Sequence, residues 1–170
     1  SELLSDLADA LTERLPETRR YADPDLAPAA SDGRIDADTL RRLRGALESL
    51  AQIDDAALAE WFGGFITRYR SGGEIAAPPR APSAAQVESR LQHGAGLHLH
   101  PLARCAWRGR GANARLHVNG ESYEAGRALA RHLCTHRSID AGFWATLDSA
   151  DRARVHTLVK RGILALSKSA

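Results

Sequence analysis

Residues 60–82 read EWFGGFITRYRSGGEIAAPPRAP, and this stretch is the most informative part of the chain. An aromatic cluster lies on a predicted helix that contains two adjacent glycines, Gly63 and Gly64, and a proline-rich segment follows. Two glycines inside a helix cost about 2 kcal/mol relative to two alanines. We therefore expect another stretch of backbone to approach this helix closely at the glycines.

The proline-rich segment marks a change in composition. Residues 1–80 hold ten arginines and no lysine against fifteen acidic residues, a net charge of −5, whereas residues 81–170 hold thirteen basic and six acidic residues, a net charge of +7. Proline favours extended, polyproline-like backbone and disfavours helix. The sequence therefore predicts a linker at 71–82 between a first domain at 1–70 and a second at 83–170.

Three helices are predicted in the first domain. In the second of them, leucines recur at spacings of three, four and three residues, which is the narrow apolar stripe of a helix that packs against another helix. A bundle of this size buries too little surface to be stable alone. We predict that the leucines and the aromatic residues of the third helix form a homodimer interface, which comprises Leu40, Leu43, Leu47, Leu50, Trp61, Phe62 and Phe65.

The second domain has shorter elements and a different period. Ser83 with Gln86 three residues later is the signature of a capping box at a helix start. The pair Asn119-Gly120 is the strongest short-range signal for a β-hairpin. Short helices that end in a final strand are typical of a winged-helix domain. We predict a mainly α fold with a small antiparallel β component, in which a helical dimerisation bundle precedes a winged-helix domain.

Three segments together resemble a known family. With Tyr21-Ala22-Asp23-Pro24-Asp25-Leu26 upstream and Asn119-Gly120-Glu121 downstream, residues 60–82 resemble the C-terminal half of bacterial Jumonji-C, cupin-like ribosomal oxygenases, the ribosomal-protein arginine hydroxylases. The resemblance covers nearly the whole chain. It implies a cytoplasmic, dimeric parent enzyme that uses Fe(II) and 2-oxoglutarate to hydroxylate an arginine of a large-subunit ribosomal protein.

The iron site of such an enzyme is missing from this sequence. Fe(II)/2-oxoglutarate oxygenases bind the metal through two histidines and one carboxylate, two of them spaced as His-x-Asp or His-x-Glu. None of the seven histidines has a carboxylate two residues on. We therefore predict no catalytic, cofactor-binding or metal-binding residues in this chain. Because it contains no methionine, we expect it to be a fragment that lacks the catalytic part.

Two pairs of histidines are alternatives for a metal site. His132 and His136 lie four residues apart on one face of a predicted helix, and His98 and His100 share one face of a predicted strand. A pair at such spacing can share a metal ion. Because the sequence near either pair lacks a complete ligand set, we interpret both as ordinary structural or surface pairs.

Cysteine content and hydropathy favour a cytoplasmic protein without membrane contact. Cys105 and Cys134 are too few for a disulfide framework and suit a reducing compartment. No apolar run approaches the roughly 18 residues of a membrane span, and no leader sequence is visible. A nucleophilic cysteine would need an orienting partner, so we interpret both cysteines as packed thiols.

Nucleic-acid binding is the main alternative function. A cluster of arginines on a predicted hairpin can neutralise phosphates, and winged helices often bind nucleic acid. A self-standing winged-helix regulator with a helical dimerisation arm therefore stays open, as does weak contact with ribosomal RNA, beside an ordinary solvated surface. The candidate phosphate contacts are Arg104, Arg108, Arg110 and Arg115.

Overall fold

The computed structural model describes residues 2–14, 37–68 and 75–167. The chain forms two compact units, Ser1–Trp61 and Phe62–Ala170. The Tyr21–Leu26 motif, which contributes to the family resemblance, lies outside the described residues.

Three helices occupy the described part of the N-terminal region: α1 (Glu2–Arg14), α2 (Ala37–Ala51) and α3 (Asp55–Thr67). The side chain of Asp54 accepts a hydrogen bond of 2.7 Å from the backbone N–H of Ala57, which satisfies one of the unpaired donors at the start of α3. The prediction of three helices is confirmed. Among the helices that the structure describes, none combines the length and hydrophobicity that a membrane crossing requires.

The second unit alternates short helices with short strands. After the C-terminal half of α3, the order along the chain is α4 (Ala84–Gln92), β1 (Leu97–Leu99), β2 (Cys105–Arg108), β3 (Asn113–Val118), β4 (Glu121–Gly126), α5 (Arg127–His136), β5 (Ser138–Ile139), α6 (Ala141–Thr146), α7 (Ser149–Lys160) and β6 (Leu164–Leu166).

Two small antiparallel sheets organise these elements. One has the strand order β5-β1-β6, and the other is the meander β2-β3-β4. Val118 pairs with Glu121 across a two-residue turn, in which Asn119 and Gly120 have positive φ values of 51° and 87°. Asparagine and glycine tolerate this conformation better than other residues, and the predicted hairpin is confirmed.

The hydrophobic core of the second unit is built mainly from leucine and valine. The predicted capping box starts α4: the N–H of Ser83 donates to Gln86 Oε1 at 2.8 Å, and the N–H of Gln86 donates to Ser83 Oγ at 3.2 Å. This start places the apolar face of α4 inward, where the helix contacts α6 and α7. Side chains without solvent exposure include Val87, Leu91, Leu97, Leu129, Leu133, Ile139, Val155 and Leu158.

The division between the two units falls within α3, after Trp61. The C-terminal half of α3 thus belongs to the same compact unit as the sheets. Residues 69–74, which include part of the linker predicted at 71–82, lie outside the described residues. The predicted domain boundary therefore stays a prediction.

Candidate functional site

The C-terminal half of α3 lies against the β3–β4 hairpin at its two glycines. A β-carbon on Gly64 would come within 3.2 Å of the carbonyl oxygen of Gly120, and one on Gly63 would come within 2.5 Å of the ring of His117. The expected close approach of backbone is confirmed at Gly64. At Gly63 the neighbour is a side chain instead, which the sequence did not indicate.

Thr67 and His117 hold this contact in place through hydrogen bonds that are buried or partly buried. Thr67 Oγ1 donates to the carbonyl of Gly63 at 2.8 Å and accepts from the N–H of Gly120 at 3.0 Å. His117 is 1% exposed, and its Nδ1 hydrogen-bonds with Ser122 Oγ at 2.8 Å across the paired strands β3 and β4. The helix is thus fixed to the hairpin by polar contacts as well as by shape.

The leucines predicted for the dimer interface lie on one exposed face of α2. Leu40, Leu43 and Leu47 are 54%, 51% and 58% exposed. Their spacing of three and four residues brings them together in one row on the helix. The side chain of Leu50, the fourth predicted leucine, lies outside the described residues. An exposed row of large apolar residues is typical of a surface that another protein chain covers.

The aromatic residues of the same predicted interface are divided between the two units. Trp61 is half-buried and ends the first unit, whereas Phe62 and Phe65 belong to the second. Phe62 is exposed and Phe65 is half-buried. The structure thus brings three of the predicted leucines together, and a role for the aromatic residues in dimerisation stays a prediction.

The structure gathers three of the four candidate phosphate contacts at one end of the β2–β3 hairpin. Arg108 and Arg115 are directly opposite each other in the strand pair, so their side chains leave the same face of the sheet. Arg110 lies in the exposed turn beside them. Arg104 lies at the other end, where its N–H donates to Asn119 Oδ1 at 2.9 Å. Arg115 also pairs with Glu124 at 3.5 Å.

A groove of about 540 Å³ lies between this end of the hairpin and the start of α7. Three arginines and three acidic residues line it, so the groove is of mixed charge. A surface that binds nucleic acid through its phosphates needs an excess of positive charge. The charged lining residues are Arg108, Arg115, Arg154, Glu124, Asp148 and Asp151.

Many of the other arginines in the second unit take part in its own packing. Arg154 Nε donates to the carbonyl of Glu124 at 2.8 Å, and Arg137 donates to the carbonyls of His100 and Ala103 at 3.2 and 3.1 Å. Arginine planes also lie over aromatic rings, a favourable cation–π arrangement. These pairs are Arg127 over Trp107, Arg152 over Trp144, and Arg154 and Arg161 over Tyr123.

Tyr123 lies in a small polar cluster that the sequence did not indicate. Its hydroxyl donates to Glu121 Oε2 at 3.0 Å, and Arg161 forms an ion pair with both oxygens of the same carboxylate. Burial, followed by the hydrogen bond to Glu121, raises the pKa of Tyr123 to about 12. The cluster joins β4 to the C-terminal end of α7.

Two aspartates occupy the N-terminal end of α7, the second helix of the α6–α7 pair. Asp148 caps the helix and accepts from the N–H of Asp151 at 2.8 Å. Asp151 is buried, and its Oδ1 accepts from the N–H of Gly126 at 2.7 Å. In helix-turn-helix proteins the N-terminal residues of the second helix contact DNA bases. Two carboxylates at this end would repel phosphates.

The histidine pairs do not form a metal site in the part of the chain that the structure describes. His132 stacks on Phe143 with ring centroids 3.5 Å apart and hydrogen-bonds through Nε2 to the carbonyl of Ser138 at 2.9 Å. Burial, followed by the neighbouring His136, lowers the pKa of His132. β1 contains His98 and ends at Leu99, and the N–H of His100, the next residue, donates to the carbonyl of Ile163 at 2.8 Å. That His98 and His100 share a strand face stays a prediction.

Cys105 and Cys134 lie on two elements that pack on each other, a placement that the sequence did not indicate. Cys105 is the first residue of β2, and Cys134 lies in the last turns of α5. Both thiols are half-buried. Cys105 Sγ also lies 3.9 Å from the carbonyl oxygen of Leu133. Only the tertiary packing of α5 on β2 places these two residues on neighbouring elements.

The comparison with protein families gives one match, the ROXA-like winged helix, over residues 47–165. No curated protein matches the chain. The match confirms the winged-helix prediction and extends into α2.

Solved structures of YcfD, a ribosomal oxygenase from Escherichia coli, share the fold. One superposes with a TM-score of 0.72 at 24% identity, over 98% of this chain and 46% of YcfD. An X-ray structure of the same protein gives 0.75 at 24%, over 98% and 44%. A complex with cobalt and 2-oxoglutarate gives 0.72 at 24%, over 98% and 46%. The chain therefore spans less than half the length of these structures, and at this identity the similarity establishes the fold alone.

Proposed function

The chain belongs to the ROXA-like winged-helix family, and on that premise we propose that it is the non-catalytic C-terminal part of an Fe(II)- and 2-oxoglutarate-dependent ribosomal protein hydroxylase. The observation that carries the proposal is the shared fold over 98% of this chain with a ribosomal oxygenase twice as long. The parent enzyme would act in the cytoplasm on an arginine of a large-subunit ribosomal protein. This part would join two copies and support the binding of that substrate.

The residues of this chain do not fit the iron and 2-oxoglutarate of the proposed parent enzyme. The described residues contain no group of three histidine, cysteine, aspartate or glutamate side chains able to hold a metal ion. Two of the histidines are instead bonded to backbone carbonyls: His132 to Ser138 at 2.9 Å and His156 to Pro82 at 3.0 Å. The iron and the 2-oxoglutarate of the parent enzyme would therefore be bound by residues outside this chain.

The function is tested by comparing ribosomal proteins from cells with and without the gene. We expect one arginine of a large-subunit protein to lose the mass of one oxygen atom when the gene is deleted. The modification should return with the full-length protein and should not return with the 170-residue chain alone. An unchanged set of ribosomal protein masses, or turnover of 2-oxoglutarate by the purified chain, would contradict the proposal.

Dimerisation through α2 is the second element of the proposed function. Leu40, Leu43 and Leu47 expose apolar surface that a monomer would leave in water, at about 25 cal/mol per Å² of unburied area. A second copy across a two-fold axis would bury the same row on both chains, and this is the commonest symmetry of homodimers. The proposed occupant of this face is therefore another copy of the chain.

Sedimentation at micromolar concentration tests the dimer. We expect the unmodified chain to sediment as a dimer and the double variant Leu43→Asp/Leu47→Asp as a folded monomer. Gly45→Asp is the matched control, because position 45 lies on the opposite side of α2 and a β-carbon there meets nothing within 4 Å. This control should remain dimeric. A folded monomer of the unmodified chain at the same concentration would exclude the interface.

The alternative function, a self-standing winged-helix regulator, has less support. Asp148 and Asp151 occupy the end of α7 that would have to approach DNA. Several arginines of the second unit are engaged in ion pairs and ring contacts within it. Of the four predicted phosphate contacts, the arginines that remain candidates are those at the hairpin turn, around Arg108 and Arg110. We infer weak, sequence-independent contact with RNA at this end of the hairpin.

A further inference from the structure

The outer face of α5 forms one wall of a groove that the proposed function does not use. Arg127 and Arg131 follow each other at a spacing of four residues, so they lie in one row on the helix. His132 and His136 have the same spacing in the adjacent row. Phe143 of α6 lies on the opposite wall, and the groove has a volume of about 590 Å³.

The lining of this groove is basic. Among the described residues that line it, the ionisable ones are two arginines and two histidines, and none is acidic. The three acidic residues of the mixed-charge groove at the start of α7 do not line it. Asp140, at the start of α6, caps that helix and accepts from the N–H of Phe143 at 2.7 Å. The groove therefore has the excess of positive charge that binding to phosphates requires.

Both arginines of the groove have donors available for a ligand. Arg127 and Arg131 are exposed, and within the described part of the chain neither forms an ion pair. Arg127 lies over the ring of Trp107, 5.8 Å from its centroid, and this contact leaves guanidinium N–H groups free to donate. Four helical residues correspond to a rise of about 6 Å, which is comparable to the separation of successive phosphates along a nucleic-acid strand.

We propose that this groove binds single-stranded RNA, with Arg127 and Arg131 on successive phosphates and the rings of His132 and Phe143 against a base. Proteins that bind single strands without sequence preference combine a positively charged groove with aromatic surfaces on which bases stack. The two rings lie 3.5 Å apart between centroids and within 7° of parallel, so they form a flat stack at the groove wall. Charge and aromatic surface thus occur together.

The groove continues from the β2–β3 turn. The N–H of Arg127 donates to the carbonyl of Ala112 at 2.7 Å, and Ala112 lies in the turn that also holds Arg110. An RNA strand that contacts the turn would therefore pass along α5. This inference rests on the RNA contact in the proposed function, and it is independent of the hydroxylase activity of the parent enzyme.

Fluorescence anisotropy of the 170-residue chain with a mixed-sequence, single-stranded RNA of about 12 nucleotides tests the groove. We expect binding at low salt. Arg127→Ala/Arg131→Ala should lower the slope of log affinity against log salt by about 1.4, which is two phosphates at about 0.7 each. Arg127→Lys/Arg131→Lys keeps the charge and should keep the slope. Arg80→Ala/Arg90→Ala removes the same charge from exposed positions that do not line this groove and should also keep most of it.

A single variant separates the loss of phosphate contacts from a change in the fold. Arg131→Ala removes no ring contact, so this variant should stay folded by circular dichroism and lower the slope by about 0.7. In addition, 4-thiouridine in the RNA should cross-link to peptides that contain His132 or Phe143. Cross-links confined to other elements, or an unchanged slope in folded Arg131→Ala, would overturn the proposal.

The remaining outcomes distinguish this inference from the proposed function. If Arg108→Ala/Arg110→Ala lowered the slope and Arg127→Ala/Arg131→Ala did not, RNA would contact the turn but not the groove. If the unmodified chain bound no RNA at low salt, or if polyglutamate of equal charge displaced the strand as well as unlabelled RNA does, the proposed ligand would be wrong. The hydroxylase role is tested separately by the masses of the ribosomal proteins.

Discussion

Gly63 faces the imidazole of His117 so closely that a methyl group at position 63 would lie 2.5 Å from the ring carbons Cγ, Cδ2 and Cε1. The ring cannot easily give way, because it is buried and hydrogen-bonded to Ser122. Helix and sheet are therefore complementary at a point where the helix has no side chain. This relationship explains why a residue that weakens a helix occurs inside α3.

Gly63→Ala should lower the free energy of unfolding by up to about 2 kcal/mol. Overpacking against the His117 ring costs about 1–3 kcal/mol, and the better helix propensity of alanine returns about 1 kcal/mol. Gly142→Ala is the matched control in the same unit, since its β-carbon would make only an ordinary contact of 3.4 Å with Asp140. Urea denaturation followed by circular dichroism measures both. Equal stability of the two variants would contradict the close contact.

Thr67→Val should destabilise the second unit by about 1–3 kcal/mol. Valine keeps the branched shape but removes the oxygen that accepts from the half-buried N–H of Gly120 at 3.0 Å, and a donor left without its acceptor costs up to about this much. In Thr157→Val the hydroxyl lost is an exposed one that bonds to the carbonyl of Ala153 at 3.0 Å. This control should change stability by less than about 0.5 kcal/mol. Similar losses in both variants would show that the Thr67 contact is unimportant.

Ionisation of Tyr123 should destabilise the fold at high pH. Its pKa is raised to about 12 in the folded chain, against about 10 in an unfolded chain. The protonated hydroxyl therefore contributes stability that is complete below pH 10 and is lost as the pH rises from about 10 to about 12. Absorbance of tyrosinate on titration of the chain should show a component near 12 that is missing in Tyr123→Phe. If Tyr123→Phe gave a titration curve of the same shape, the assignment of the component near 12 to Tyr123 would be wrong.

Replacement of Arg108 and Arg110 by alanine should weaken RNA binding and reduce its salt dependence. Each lost phosphate contact lowers the slope of log affinity against log salt by about 0.7 for single strands or 0.9 for duplex DNA. The double variant Arg80→Ala/Arg90→Ala removes the same charge from exposed positions outside the hairpin and should retain most of the slope. Nanomolar, sequence-selective binding to duplex DNA at physiological salt would favour the regulator instead.

The features predicted correctly from the sequence are those that depend on residues close together in the chain. The capping box of Ser83 and Gln86, the Asn119-Gly120 turn and the need for a close neighbour at Gly64 all follow from local backbone chemistry. Such signals span a few residues, so one sequence is enough to recognise them.

The features that the sequence did not reveal depend on residues far apart in the chain. Cys105 and Cys134 lie on neighbouring elements only because α5 packs on β2, and the hydrogen bond between Gly126 and Asp151 joins residues 25 positions apart in the chain. The strand β5 has two residues, Ser138 and Ile139, too few for an alternating pattern to be visible. One sequence signal could have located the start of α7: Asp148 and Asp151 have the three-residue spacing that is typical of a helix start.

The aspartates at the start of α7 also limit how this domain could acquire DNA binding by mutation. Because Asp148 caps the helix and Asp151 holds the end of β4, replacing either with a basic residue would remove a structural hydrogen bond before any contact with DNA is gained. Loss of a cap alone costs about 1 kcal/mol. A mutational path from this domain to a DNA-reading one would therefore begin with destabilised intermediates, and compensating substitutions elsewhere in the core would have to come first.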